Sequence, residues 1–330
     1  MRKIKYKKVL VVSFILCAAL LFWIFIIGIY SNQPGQFYNK GHNAVWLGHE
    51  WVGEYKNKIK VYDLIRDLEK RQIDTVFVHA GPFKEDGSIN PSTYQNAVGF
   101  IEYAKMANKK MSFQAWLGQL RSNVDLKDDS VRHNMAKQAL ILTKMVGFDG
   151  VHIDIEPVWD NDEDFLLLLK EIREVISKDK IISVALAEFI PGAFIFAAEK
   201  VHKFENFNSE VSYTDSAKYA DQIVVMAYDT GINRGWLYKR LVEEQTIRLT
   251  NLLGGKEVFI GIPAYDDGKE GFNPKVENIE NGLMGIISGL NNIRSEEENF
   301  AGVAIYPYWE IDENEWAVYE KLWLKSPLQK

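Results

Sequence analysis

Residues 149–156 read Asp-Gly-Val-His-Ile-Asp-Ile-Glu. Val151, Ile153 and Ile155 alternate with His152, Asp154 and Glu156, so the period is two and the segment reads as a strand with three ionisable groups on one face. Placing two carboxylates and an imidazole side by side on an inner face costs stability through desolvation and repulsion. Such a cost is tolerated where the groups do chemistry. Two carboxyls this close also disfavour ionisation of both, which keeps a proton on Glu156 near neutral pH. The competing reading is a solvated edge strand or an ion-pair network; strands and helices alternating on both sides favour burial instead.

Other strand ends present polar and aromatic groups in the same way: Met226-Ala227-Tyr228-Asp229, Gly261-Ile262-Pro263-Ala264-Tyr265-Asp266 and Tyr306-Pro307-Tyr308-Trp309. Trp46, Trp51, Trp116, Trp159 and Trp236 fall at or just after predicted strand ends. Flat side chains stack on the apolar faces of sugar rings and carboxylates bind their hydroxyls. The expected ligand contacts are therefore Trp46, Trp116, Tyr265, Tyr306 and Trp309, and the expected partner is a carbohydrate polymer or oligosaccharide. Other classes fit poorly. His42, His49 and His79 lack His or Cys partners at ligand spacing, and neither HExxH nor CxxC occurs, so no metal and no other cofactor is expected. A Ser-His-Asp hydrolase would need a GxSxG elbow, which is missing.

The elements that must position these groups alternate strictly. Strands are predicted over Ala44–Gly48, Thr75–Ala80, Met111–Leu117, Gly150–Glu156, Ile182–Ala187, Gln222–Tyr228, Val258–Pro263 and Gly302–Tyr306. Helices are predicted over Val61–Arg71, Pro91–Asn108, Ser130–Val146, Asp162–Ser177, Leu237–Leu253, Val276–Leu290 and Asn314–Leu324, with a less regular stretch at Ile190–Phe204. Eight strand–helix pairs match a single α/β domain, a (β/α)8 TIM barrel, for which ~250 residues is typical. An open doubly wound sheet would want a glycine-rich phosphate loop after an early strand, and the sequence has none. Active sites of such barrels lie at the C-terminal ends of the strands, which is where Glu156 falls.

Ahead of the barrel, Val9–Tyr30 is an uncharged apolar run of 22 residues preceded by Arg2, Lys3, Lys5, Lys7 and Lys8. At ~1.5 Å per residue it spans the ~30 Å hydrocarbon core. The expected organisation is a basic cytoplasmic tail (1–8), a transmembrane signal anchor (9–30), a linker (31–42) and an extracytoplasmic barrel (43–330) at the cell membrane. The single cysteine, Cys17, leaves the outer domain without a disulfide. Setting aside the five basic residues leaves 34 basic against 45 acidic side chains, a formal charge of −11. Such a surface does not bind nucleic acid.

The segment Asp149 to Glu156 resembles the DGxDxDxE signature of glycoside hydrolase family 18, the chitinase family. Met226-Ala227-Tyr228-Asp229 is similar to its sixth-strand Met-x-Tyr-Asp motif, Gly261-Ile262-Pro263 to its seventh-strand Gly-x-Pro, and Gly302-Val303-Ala304-Ile305-Tyr306 to its eighth strand. The resemblance covers about residues 43–324. It departs in three places: the middle Asp of the signature is His152, the third-strand Ser-x-Gly-Gly turn is Gln114-Ala115-Trp116-Leu117-Gly118, and Tyr306 stands for the eighth-strand Trp unless Trp309 takes over. Only about forty residues separate the seventh and eighth strands, which leaves no room for an extra α+β insertion and implies a shallower groove.

The resemblance implies a mechanism in which Glu156 is the general acid/base and the substrate's own 2-acetamido oxygen attacks the anomeric carbon. Asp154 would orient the acetamido N–H, Tyr228 would hold its carbonyl oxygen, and Asp229 would position the distorted sugar. Asp149 and His152 would support them. His152 is expected to titrate near ~6.5 and to exchange a hydrogen bond with Asp154. The implied substrate is a peptidoglycan- or chitin-like N-acetylated glycan cleaved with retention. Two alternatives stay open: a catalytically weak or inactive glycan-binding barrel, and a two-carboxylate glycosidase on unacetylated sugars with Asp266 or Asp267 opposite Glu156.

Overall fold

A computed structural model describes residues 15–19, 35–189, 209–266 and 272–324. Eight parallel strands close on themselves in sequence order: β1 (Asn43–Leu47), β2 (Ile73–His79), β3 (Ser112–Leu120), β4 (Gly150–Glu156), β5 (Ile181–Ala187), β6 (Gln222–Met226), β7 (Glu257–Pro263) and β8 (Phe300–Tyr306). Each is followed by a helix: α1 (Lys58–Lys70), α2 (Ala97–Ala107), α3 (Asp129–Ile141), α4 (Glu163–Val175), α5 (Glu210–Ser216), α6 (Gly235–Leu252), α7 (Ile279–Leu290) and α8 (Glu313–Leu322). The expected (β/α)8 barrel is therefore present, and the open-sheet alternative is excluded because β1 pairs with both β2 and β8.

Local chemistry accounts for the helices. In α4, Phe165, Leu168, Leu169 and Ile172 recur at helical spacing and are buried against the sheet, while Asp162 caps the first turn through Phe165 N at 3.1 Å. Asn57, Asp128 and Asn278 cap α1, α3 and α7 in the same way, and Asp312 with Glu315 forms a reciprocal capping box at α8. The predicted Pro91–Asn108 helix is broken, with a short 3₁₀ turn at Pro91–Tyr94 before α2. The predicted Ser130–Val146 helix ends in a π turn over Leu142–Val146, stopped by Gly147 at φ 101°.

Two apolar layers form. The larger lies between strands and helices; the smaller fills the barrel with Ala44, Trp46, Phe77, Trp116, Val224, Phe259, Ala301 and Ala304. The N-terminal end is closed by a polar chain. Gln114 Nε2 donates to Gln222 Oε1 (2.7 Å), Gln222 Nε2 donates to Glu257 Oε2 (2.7 Å), and His42 lies between Asp74 (2.6 Å) and Glu257 (3.5 Å).

Among the described residues, no helix is long and apolar enough to cross a membrane. The expected Val9–Tyr30 span lies outside them except for Ile15–Ala19, which is helical and exposed. The Ile190–Phe204 stretch and Asp267 also lie outside the described residues.

Candidate active site

Glu156 is the last residue of β4 and is only partly exposed at the rim, whereas Asp154, two residues deeper, is buried. The strand's alternation brings both carboxyls to the mouth on one face. Asp154 is fixed from β3: the indole N–H of Trp116 donates to its Oδ2 at 2.8 Å. Its Oδ1 is buried and has no hydrogen-bond donor among the described residues. Burial raises the Asp154 pKa above the usual carboxylate range, and the hydrogen bonds of Trp116 and Glu156 partly offset this. Glu156 is raised as well, first by the charge of Asp154, then by burial of the carboxyl, by its hydrogen bond to Asp154 and by Asp229. With both groups raised and hydrogen-bonded to each other, the pair carries one proton between them near neutral pH.

Opposite this pair, β6 and its extension supply Tyr228 and Asp229. Tyr228 is buried and lies parallel to Tyr306 of β8, ring centroids 5.5 Å apart. Burial, with Tyr306 and Asp154 nearby, holds its hydroxyl far above the usual phenol range, so it stays a hydrogen-bond donor. Asp229 takes a left-handed backbone, φ 58°, and its exposed carboxylate accepts from the Tyr265 hydroxyl at 2.7 Å. Tyr306 is the hub of the floor: Trp116 (6.1 Å), Tyr265 (5.8 Å) and Trp309 (5.9 Å) all meet it edge-on. One mouth thus gathers Asp154, Glu156, Tyr228, Asp229, Trp116, Tyr265, Tyr306 and Trp309.

Three expected site residues lie elsewhere. Trp46 is only 1% exposed and sits beneath the floor, edge-on to Tyr306 at 5.7 Å and tilted against Phe77. No sugar reaches it. Asp149 precedes β4 at the opposite end of the barrel, where it accepts from Phe113 N (2.8 Å) and pairs with Lys105 (2.5 Å). That end of a (β/α)8 barrel serves stability.

His152 is the third correction. It does not bond Asp154. The Trp46 indole, which can only donate, points its N–H at His152 Nε2 (3.1 Å), so that nitrogen is an acceptor and Nδ1 carries the proton towards Ser183 Oγ (2.8 Å). The ring stacks on Phe77 at 3.8 Å and is fully buried, which pushes its pKa down to about 3. The imidazole is neutral and structural because one step deeper along β4 lies inside the aromatic plug, beyond reach of the mouth.

Three further residues at or behind the mouth had no site role assigned from sequence, His79 having been weighed only as a metal ligand. His79 ends β2 and is sandwiched between His49 (5.0 Å) and Trp116 (4.4 Å); burial, followed by His49, lowers it to about 4. Glu188 follows β5, is buried, and is held well above the usual range by that burial, with Glu277, Asp229 and Glu156 adding to it. Both occupy strand ends, the signal that identified Glu156. Glu277, which accepts from Thr230 N (3.2 Å) and Thr230 Oγ1 (2.9 Å), comes from the β7–α7 connection, where no periodic signal marks it. No group of three or more His, Cys, Asp or Glu among the described residues is arranged to hold a metal ion.

A sequence model described as glycosyl hydrolases family 18 matches residues 52–323. The chain belongs to that family. It is a glycoside hydrolase with a chitinase-like barrel. Comparison with curated proteins returns no match. Among solved structures, the spore cortex-lytic enzyme SleL of Bacillus cereus is similar at 10% identity and TM-score 0.58, over 86% of this chain and 75% of that one. A chitinase from Bacteroides thetaiotaomicron is similar at 16% identity and TM-score 0.55, over 85% and 94%. So is a family 18 chitinase from Cycas revoluta solved with (GlcNAc)3, at 13% identity and TM-score 0.56, over 85% and 98%. At these identities the likeness to solved structures establishes the fold alone.

Proposed function

We propose that this family 18 barrel hydrolyses N-acetylated amino-sugar glycans with substrate assistance and retention, held outside the cytoplasm by Val9–Tyr30. The observation that carries the reading is Asp154: one oxygen anchored by Trp116, the other buried, without a donor, and next to Glu156. In the reaction, Glu156 gives its proton to the glycosidic oxygen as that bond breaks, while the acetamido carbonyl oxygen of the same sugar bonds to the anomeric carbon. Asp154 Oδ1 accepts the acetamido N–H, and the Tyr228 hydroxyl donates to the carbonyl oxygen. Ionised Glu156 then takes a proton from water, which opens the cyclic intermediate with net retention. The (GlcNAc)3 in the Cycas revoluta chitinase structure supports an N-acetylated substrate.

The test is to incubate the purified chain with a panel of N-acetylated glycans, chitin- and peptidoglycan-like, and measure new reducing ends. Glu156→Gln keeps shape but removes the titrating proton, so turnover should fall by ~10²-fold or more while binding persists. Glycan binding without cleavage by the unmodified chain would favour the inactive-barrel alternative, and equal rates for both proteins would remove Glu156 as the acid. The anchor is supported by the basic cluster before an uncharged run of 22 residues. Protease added to intact cells should remove the barrel; full protection would contradict that placement.

A further inference from the structure

The chain enters the barrel at its N-terminal end. Gly35 packs against the last turns of α7 and α8, where a Cβ would lie 2.7 Å from the Trp323 ring and 2.8 Å from Ile287. The Tyr38 hydroxyl donates to Asn291 Oδ1, and Asn39 Nδ2 donates to the Trp323 carbonyl oxygen at 3.1 Å. The path is therefore pinned from Gly35 onward. Between it and the apolar run Val9–Tyr30 stand only residues 31–34, a stretch that bridges at most ~18 Å. With that run in a bilayer, the N-terminal end of the barrel lies beside the headgroups and the mouth lies at the far end.

The N-terminal end also carries a cationic arc. Residues 31–330 have a formal charge of −11, yet the connections entering the neighbouring strands β3, β4 and β5 expose Lys109, Lys110, Lys144 and Lys178. Acids close to them are engaged elsewhere: Asp149 pairs with Lys105, Asp221 with Arg173, and Asp179 accepts from Ser177. Glu296, Glu297 and Glu298 are on the connection entering β8, across the barrel from β4. The helix dipole favours cations at helix C-termini and accounts for the sign of the arc. It does not account for the bulky apolar side chains exposed on the same end. Met145, next to Lys144, is 74% exposed; Phe37 and Ile293, flanking the Tyr38–Asn291 contact, are 72% and 99% exposed. Cations with exposed apolar tips suit a headgroup layer, whose phosphates take the charge and whose acyl boundary takes the tips.

We propose that this end of the barrel docks on an anionic phospholipid surface. Lys109, Lys110, Lys144 and Lys178 meet headgroup phosphates, Phe37, Met145 and Ile293 dip into the layer, and the mouth points away from the bilayer. The chain enters at β1 and the arc lies at β3 to β5, so two sides of one face are held and the tilt is fixed. Because the anchor makes the docking intramolecular, a few weak charge contacts suffice. At ~3.3 Å per residue and a tilt of ~36°, the nine residues of β3 raise the mouth by ~20 Å, towards glycan standing off the membrane. This rests on the anchored, extracytoplasmic reading above and deepens it by an orientation.

The experiment places the full chain, carrying Cys17→Ser, in lipid nanodiscs with an energy-transfer acceptor on the headgroups. A single donor fluorophore is attached through Ser177→Cys beside the arc, or through Leu120→Cys at the mouth end of β3. Transfer from position 177 should be about twofold higher in discs containing phosphatidylglycerol than in phosphatidylcholine discs, and position 120 should transfer less than position 177. Lys109→Glu, Lys110→Glu, Lys144→Glu and Lys178→Glu together should return position 177 to its level in neutral lipid. High salt, which leaves the sequence intact, should do the same. Transfer from position 177 that ignores lipid charge, charge reversal and salt would overturn the docking while leaving the anchor. Greater transfer from position 120 than from 177 would overturn the orientation. A chain that does not enter neutral discs would overturn the anchor and the docking together. Release of reducing ends from glycan, measured separately, reports on the hydrolase whichever way these fall.

Discussion

Burial and mutual repulsion raise the Asp154–Glu156 pair, and Trp116 tempers that rise. Its N–H stabilises the ionised form of Asp154, and Asp154 in turn keeps the proton on Glu156. Trp116→Phe keeps the ring but removes that donor, so the pair takes up its second proton at a higher pH. The acid limb of kcat/KM against pH should move towards neutrality, with the alkaline limb less affected; coincident acid limbs would show that the indole does not tune the pair. His152 behaves in the opposite sense from what its place in the motif suggests. Being locked neutral between Trp46 and Ser183, it has no charge to lose in the working range. The pH profile of His152→Leu should superimpose on that of the parent after scaling for folded protein. Stability should nevertheless fall by ~1–3 kcal/mol, because the buried Trp46 N–H is left unpaired; urea denaturation measures this. The alternation of β4 made the shared face of His152, Asp154 and Glu156 legible from sequence. The depth at which that face passes from mouth to plug was not, because it depends on Trp46 and Phe77 arriving from two other strands.

At the scale of elements, the strand pattern was readable because both sheet faces are apolar and most of the helices open on a side-chain cap. Predicted β4 coincides with the observed strand, and the others differ by a few residues at their ends. The helix α5 was not recognised: Glu210–Ser216 has only two turns and little apolar periodicity. Glu277 was missed for a different reason, since its partner Thr230 comes from an element distant in sequence. What sets the height of Asp154 and Glu156 is the register of β4 on β5, in which Gly150 faces Ile181. A Cβ at Gly150 would lie 2.3 Å from the Ile181 carbonyl oxygen, which is backbone and cannot swing aside. Gly150→Ala should therefore part the two strands, lowering stability by about 1–3 kcal/mol and reducing kcat even where the protein is fully folded. A variant with unchanged Tm and kcat would show that the β4–β5 register tolerates the shift.

Over the whole molecule the two ends of the barrel divide the work, with chemistry at the C-terminal mouth and closure at the N-terminal end. The acidic surface and the apolar run before residue 31 were readable as composition, but the closing network was not, because Gln114, Gln222, Glu257, His42 and Asp74 come from four different strands and one flanking turn. His42 is its titrating member. Burial pulls its pKa down, but hydrogen bonds and charge from Asp74 and Glu257 outweigh this and bring it to about 10. The folded value thus lies above the ~6.5 of an unfolded histidine. A group raised in this way stabilises fully below ~6.5, and the contribution fades as pH rises through the folded value near 10. His42→Gln retains hydrogen-bonding capacity without the charge. Its Tm should fall furthest below the parent at pH 6, and the gap should shrink steadily on going to pH 10. Because Asp74 and Glu257 are themselves partly exposed, added salt should narrow the gap at pH 6 as well. A Tm difference independent of pH between 6 and 10 would mean that His42 closes the barrel by shape alone, and the charge on this face would then contribute nothing to holding the eight strands together.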